Sequence, residues 1–309
     1  MVKIQYCSDI HLEFLEQFSM SKTNFEDIIT PGVSPYLVLA GNIGQPHLSL
    51  FRLFFEWCSQ NWTGVYYVTG NHEYYSNESP LESMDCIESA IGKQLVDLKN
   101  VHWLCLGCPG GSMSRDISGS DITIIGTTLW TNIDDEIENN ARMAIMDYRL
   151  IGSPHLHPKK GVQMIQPYEV SVLHMLHKQN LANEIRAVHK RGRKIIVVTH
   201  HIPSYKLIAP RYASSKLKSC FASHSDDLIK LPGVVAWVYG NTHDNRETWI
   251  DKCLCVVNTV GYPGEKKQPS VKNASIDLDT LLINYPKILA NEESAPKFPT
   301  DLSESPILL

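Results

Sequence analysis

Val65-Tyr66-Tyr67-Val68-Thr69-Gly70-Asn71-His72-Glu73 is an apolar run that halts at a glycine and then delivers an amide, an imidazole and a carboxylate. A short run of β-formers bounded by a turn signal is the pattern of a buried strand. Gly70 permits a sharp backbone turn. An Asn side-chain oxygen can ligate a metal, and a His beside it can carry a proton. Four other apolar runs end in the same way. Val2 to Cys7 leads into Ser8-Asp9-Ile10-His11, and Tyr36 to Ala40 into Gly41-Asn42. Lys194 to Thr199 leads into His200-His201, and Val234 to Tyr239 into Gly240-Asn241-Thr242-His243. One Asp-x-His occurs by chance. Five polar tips, each after an apolar strand and mostly beside glycine, form a pattern. Mixed Asp, Asn and His donors suit Mn, Fe or Zn better than calcium.

Between these strands the apolar spacing turns helical. In the segment from Pro46 to Trp62, Leu48, Phe51, Phe54, Phe55 and Cys58 recur at the spacing of one helix face. Pro80 is read as opening a helix that runs to about Leu98, since proline is tolerated in a first turn. Pro167 to Arg191 is a long helical stretch with Val170, Leu173, Leu176 and Leu181 as core positions. Val101 to Leu106 and Ile122 to Ile125 read as strands, and Thr248–Ile250 with Leu254–Val257 as a closing hairpin. The segment 130–161 is irregular. Strands alternating with helices, with β-rich pairs inserted, give an α/β sandwich. In α/β sheets the strand ends are the usual place for a site.

The chain has 309 residues, 43% of them hydrophobic, and a formal charge of −5. It can bury a sizeable core, and its charge carries no strong nucleic-acid signal. No apolar run approaches the roughly 20 residues of a membrane span, and the N-terminal residues have no signal-peptide core. The expectation is a soluble, cytoplasmic protein without a membrane partner. Residues 1–285 are read as one domain and 286–309, rich in Pro, Ser, Glu and Asn, as a mobile tail. The eight cysteines are expected to be reduced and partly buried, since Cys105-Leu106-Gly107-Cys108 has no second pair to complete a zinc site.

Over roughly residues 2 to 262 the chain resembles the calcineurin-like metallophosphoesterases, and within them a group of intracellular predicted phosphohydrolases. The resemblance rests on Ser8-Asp9-Ile10-His11-Leu12-Glu13-Phe14, Gly70-Asn71-His72-Glu73-Tyr74-Tyr75 and Met146-Asp147-Tyr148-Arg149-Leu150. It rests also on Thr199-His200-His201, Ala209-Pro210-Arg211-Tyr212-Ala213 and Gly240-Asn241-Thr242-His243-Asp244. It implies a four-layer α/β/β/α sandwich and hydrolysis of a phosphomonoester or phosphodiester, with nucleotides among the possible substrates. It also implies a pair of divalent cations. Asp9, His11 and His243 would hold the first, Asn71 and His200 the second, and His72 would protonate the leaving oxygen.

Two positions depart from that pattern. The family's bridging Asp is Asn42 here, and the first His of the last motif is Asn241. Both changes weaken the second cation position. Two dications about 4 Å apart repel by roughly 17 kcal/mol at an effective dielectric of 20. A bridging carboxylate offsets that repulsion and a neutral amide does not. The expectation is one firmly bound ion, with Asn42 as a weaker ligand and the second ion weak or absent. The alternative is a catalytically degenerate protein of this fold that binds a phosphate-bearing ligand or a protein partner.

Arg211, Tyr212 and His201 are candidate substrate contacts. A salt bridge, a packed aromatic and support of a strand tip are the respective alternatives. Glu73 is expected to orient a neighbour. Arg149 and Asp147 are read as pairing with each other. His174 and His177 are placed on the surface of their helix, and His155 and His157 show no ligand spacing.

Overall fold

The computed structural model describes residues 2–19, 24–76, 81–154, 160–265 and 272–281. Eleven strands occur among them: β1 Lys3–Cys7, β2 Tyr36–Ala40, β3 Gly64–Val68, β4 Val101–Trp103, β5 Ser114–Asp116, β6 Ile122–Thr127, β7 Lys194–Thr199, β8 Val234–Val238, β9 Arg246–Ile250, β10 Cys253–Val257 and β11 Ser275–Asp277. They form two sheets, ordered β11-β1-β2-β3-β4 and β5-β6-β7-β8-β10-β9. The principal helices are α1 Leu12–Ser19, α2 Ser49–Asn61, α3 Met84–Leu95, α4 Glu138–Ala144, α5 Asp147–Leu150 and α6 Pro167–Lys190.

The period-two alternation of each strand explains the layering. Leu37 and Leu39 of β2 face outward onto Phe51, Phe54 and Phe55 of α2 and Ile87 and Ile91 of α3. Val38 and Ala40 face the other way, into a core shared with the second sheet. In β7, Ile196 and Val198 enter that same inter-sheet core, while Ile195 and Val197 pack with Leu181, Ile185 and Val188 of α6. A strand apolar on both faces needs a partner on each, and the result is the expected four-layer α/β/β/α sandwich.

The strands that bear the polar tips run parallel to one another within each sheet, and only the edge strand β11 lies antiparallel to β1. β1 pairs in parallel with β2, and β2 with β3. In the second sheet β6, β7, β8 and β10 run parallel. Their C-terminal ends therefore emerge at one edge of each sheet, and the tips converge there.

Several sequence expectations shift. α3 starts at Met84, with Ser83 Oγ accepting the Cys86 N–H at 3.4 Å, and does not start at Pro80, which lies outside the described residues. β4 stops at Trp103. The segment 130–161 holds α4 and α5. α1 and the edge strands β5 and β11 were not anticipated. On α6 the buried stripe is Val170, His174, Leu181, Ile185 and Val188, so Leu176 lies on the opposite face and is 46% exposed. His174 is therefore interior, at 4% exposure, with Nδ1 near the carbonyls of Leu129 and Trp130 at 3.1 and 3.2 Å. His177 is part-buried, its Nδ1 2.7 Å from Thr127 Oγ1. All eight cysteines are free thiols, and seven of them are buried. Among the described residues no helix is long and apolar enough to cross a membrane. The segment 286–309, His155 and His157 lie outside the described residues.

Candidate metal centre

The tips are shaped by backbone conformations that side chains seldom adopt. Asp9, His11, Asn42 and Asn241 have φ of 50°, 54°, 52° and 60°. Left-handed non-glycine residues are uncommon, cost of order 1–3 kcal/mol each, and cluster where a site dictates the geometry. Four of the candidate ligands share this trait. Glycine serves the close approaches. A Cβ on Gly41, whose φ is +84°, would lie 2.4 Å from His200 Nδ1, and one on Gly70 would lie 2.1 Å from Asn42 Oδ1.

Asp9, His11 and His243 come together, with one ligand atom from each lying within 4.8 Å of the others. His11 is fully buried, and its Nε2 has no hydrogen-bond partner among the described residues. Burial lowers its pKa, which favours the neutral ring a metal requires. His243 Nδ1 donates to Glu265 Oε2 at 2.7 Å, a carboxylate–histidine pairing that fixes a ligand's tautomer. Asp9 Oδ2 accepts from Ser8 Oγ at 2.6 Å and from the Asn241 N–H at 3.2 Å.

Asn71 and His200 meet at the second position. His200 Nδ1 must donate to the Ala40 carbonyl, 2.8 Å away, so the neutral ring presents a bare Nε2. Burial, reinforced by His201, pushes the His200 pKa well down and keeps it neutral. That Nε2 is 3.2 Å from Asn71 Oδ1. The Asn71 amide is oriented by Asp147, whose Oδ1 accepts from Nδ2 at 2.8 Å and from the Tyr75 hydroxyl at 2.7 Å. Two lone pairs thus face one another with no proton between them. This is a donor set for a cation, and the residues fit one.

Asn42 is turned otherwise. Its Oδ1 accepts the His72 N–H at 3.0 Å, and its Nδ2 points at Asp9 Oδ1, 3.4 Å away. Asn42 presents a donor where a bridging ligand would present lone pairs. Asn241 Nδ2 donates to the Phe221 carbonyl at 3.3 Å.

His72 stacks on Tyr75, with centroids 4.1 Å apart. Its Nδ1 lies 3.1 Å from Glu13 Oε1 and its Nε2 3.2 Å from the Tyr262 hydroxyl. Glu13 also receives His11 Nδ1 at 2.9 Å. Burial would raise the Glu13 carboxyl, but the two imidazole donors prevail and hold it down at about 2. The Tyr262 ring stands over His11 and His243, with centroids at 4.6 and 4.7 Å. Its loop is tied to the β1 tip, because the Gly261 and Val260 N–H groups donate to the carbonyls of Asp9 and Ser8 at 2.6 and 3.0 Å.

Glu73 is fully buried and orients its neighbours. It accepts the N–H groups of Gly70, Asn42 and Ile43 and the Tyr67 hydroxyl at 2.8, 3.1, 2.8 and 3.0 Å. Arg211 is half exposed, bonds Asp244 at 2.7 Å, and lies over the Tyr212 ring at 4.8 Å. His201 is interior, beside the Thr128 carbonyl and the Trp130 ring. Asp147 is paired with Asn71 and Tyr75, so the expected pair with Arg149 does not form. Arg149 instead donates to the Met143 carbonyl.

Two residues of this centre, Glu13 and Tyr262, carry no role in the sequence reading, and a third, Asp147, is given the wrong partner there. Glu13 and Asp147 lie inside the motif segments, but nothing local shows which distant side chain either meets.

No family model matches the chain. It is 26% identical to an uncharacterized protein of Acanthamoeba polyphaga mimivirus, over 91% of this chain and 98% of that one. The phosphopantetheinyl hydrolase PptH from Mycobacterium tuberculosis superposes over 84% of this chain and 90% of its own, at a TM-score of 0.57 and 18% identity. The likeness is one of fold, and the chain has the calcineurin-like metallophosphoesterase fold.

Proposed function

We propose that the protein is a metal-dependent phosphoesterase that hydrolyses a phosphomonoester or phosphodiester, nucleotides included. The observation that carries this reading is the buried, unpartnered His11 Nε2 in company with Asp9 and His243, whose ligand atoms lie within 4.8 Å. A lone pair shut away from water without a partner is costly, and a cation there removes that cost. When bound, a divalent ion supplies Lewis acidity toward a phosphoryl oxygen and eases deprotonation of water. Asp9, His11 and His243 hold the firmly bound ion. Asn71 and His200 form a weaker position, since Asn42 brings no bridging charge. His72, its Nδ1 engaged by Glu13, offers Nε2 to the leaving oxygen.

The orientation of Asn42 favours a second reading. Its Nδ2 occupies the Asp9 side of the bridging position, which suits a protein of this fold that binds a phosphate-bearing ligand without turning it over. One experiment separates the two. Metal stoichiometry and hydrolysis of an aryl phosphodiester with added Mn are measured for the wild type and for the double variant Asn42→Asp, Asn241→His. One tight ion and measurable turnover, both raised by the double variant, support an enzyme with a weakened second position. Ligand binding without turnover in either protein supports the second reading. Failure to bind any divalent ion refutes the metal centre itself.

A further inference from the structure

Glu13 makes an arrangement that the proposed reaction does not by itself require. A single oxygen, Oε1, lies 2.9 Å from His11 Nδ1 and 3.1 Å from His72 Nδ1. The two rings stand edge to face with centroids 4.5 Å apart. A carboxylate oxygen only accepts, so both Nδ1 atoms carry the hydrogen. The other oxygen, Oε2, is buried without a hydrogen-bond partner among the described residues. Glu13 is the second residue of α1, where an acidic side chain usually sits in water against the helix dipole. Here it is 7% exposed and turned inward onto His11 and His72, and the helix follows directly on the left-handed backbone of His11.

We infer that Glu13 is a positioning residue that sets His11 and His72 in the same tautomer and so couples the metal ligand to the proton donor. The His11 half stands on the metal centre, and the His72 half rests on the phosphoesterase reading. With Nδ1–H held, His11 turns a bare Nε2 toward the candidate cation. With Nδ1–H held by Glu13, His72 turns its Nε2 toward the Tyr262 hydroxyl. One carboxylate oxygen thus aims two imidazoles from two different strand tips. A displacement of either ring is felt by the other.

The test reads tautomers directly. Long-range proton–nitrogen NMR on histidine-labelled protein, without metal and with Zn, is expected to show Nδ1–H at His11 and His72, and a shift of His11 Nε2 on adding Zn. In Glu13→Ala both rings are expected to lose the single tautomer. Calorimetric Zn affinity is expected to fall 10- to 100-fold, the usual consequence of removing a ligand's carboxylate partner. Glu13→Gln keeps an acceptor oxygen and is expected to retain most of the affinity. If the enzyme turns over, Glu13→Ala loses more rate on an alkyl phosphate ester than on a nitrophenyl ester, since only the former needs its leaving oxygen protonated. An Nδ1 without hydrogen at either histidine of the wild type overturns the inference. So does unchanged Zn affinity in a Glu13→Ala protein with native near-ultraviolet circular dichroism. If Glu13→Ala does not fold, the wild-type tautomers and the Glu13→Gln affinity decide. An absence of phosphoesterase activity leaves the tautomer and affinity results standing, so it counts against the reaction and not against the positioning role.

Discussion

Replacing Glu73 by Gln keeps the shape of the side chain and removes its charge. The carboxylate sits between the β2 and β3 tips. Oε1 takes the Ile43 N–H and the Tyr67 hydroxyl, and Oε2 takes the N–H groups of Gly70 and Asn42. A glutamine must put its NH2 in one of these places. At Oε2 it would confront two backbone donors. At Oε1 it confronts one, because the Tyr67 hydroxyl can rotate and accept. The second orientation is favoured and leaves the Ile43 N–H buried without a partner, at about 1–3 kcal/mol. The two bonds that remain on the amide oxygen lose charge assistance, about 1 kcal/mol each. The expected destabilisation is about 3–5 kcal/mol, a large part of the roughly 5–15 kcal/mol of a typical domain. Burial raises the Glu73 carboxyl to about 7, so urea unfolding at about pH 8.5, where the carboxylate is charged, measures it, with a lower midpoint and an unchanged slope expected. Because the Asn42 N–H keeps only a weaker bond to a neutral amide oxygen and its neighbour Ile43 loses its acceptor, divalent-metal affinity is expected to fall as well. A loss below about 1 kcal/mol would refute the view that this carboxylate holds the two tips together.

Other perturbations have comparably direct readouts. Gly41→Ala puts a Cβ 2.4 Å from His200 Nδ1 at a φ of +84°. The backbone conformation alone costs about 1–2 kcal/mol, so thermal unfolding is expected at a clearly lower temperature, and a native midpoint would show that His200 is not held there. Asp147→Asn lets the Asn71 amide turn over, because a carboxamide no longer dictates which Asn71 atom faces it. Metal titration is expected to lose its weaker phase while the tight ion stays, and retention of both phases would contradict the orientation assigned to Asn71. His174 is buried and its pKa is pushed below the usual 6.5, mainly by burial. The unfolded chain therefore binds the extra proton first, and the stability this residue contributes is complete above pH 6.5 and lost as pH falls below it. The loss reaches at most about 1.4 kcal/mol per pH unit. His174→Gln still donates to the Leu129 and Trp130 carbonyls but cannot titrate, so its stability is expected to fall less steeply from pH 6.5 downward, and parallel curves would refute the burial argument.

The sequence by itself determined the strands that build the two central layers and the polar residues at their ends. Short runs such as Tyr36–Ala40 and Lys194–Thr199 are apolar on both faces, and only a strand covered on both sides accommodates that. The glycines at 41, 70 and 240 mark their ends, and Asp9, His11, Asn71, His200 and His243 follow at fixed offsets. Tertiary structure decided what each polar group meets. Glu13 reaches His72 across 59 residues, Asp147 reaches Asn71 across 76, and Tyr262 reaches His72 across 190. No local spacing encodes such pairings, which exist only once the parallel strands bring their ends to one edge. The same holds for β11, a three-residue strand whose existence depends on the free edge of β1. It holds also for His174, which a helical wheel leaves on either face until the β6 end closes over it. Propensity and periodicity act over a few residues, whereas burial and the partner of a buried lone pair are properties of the assembled fold.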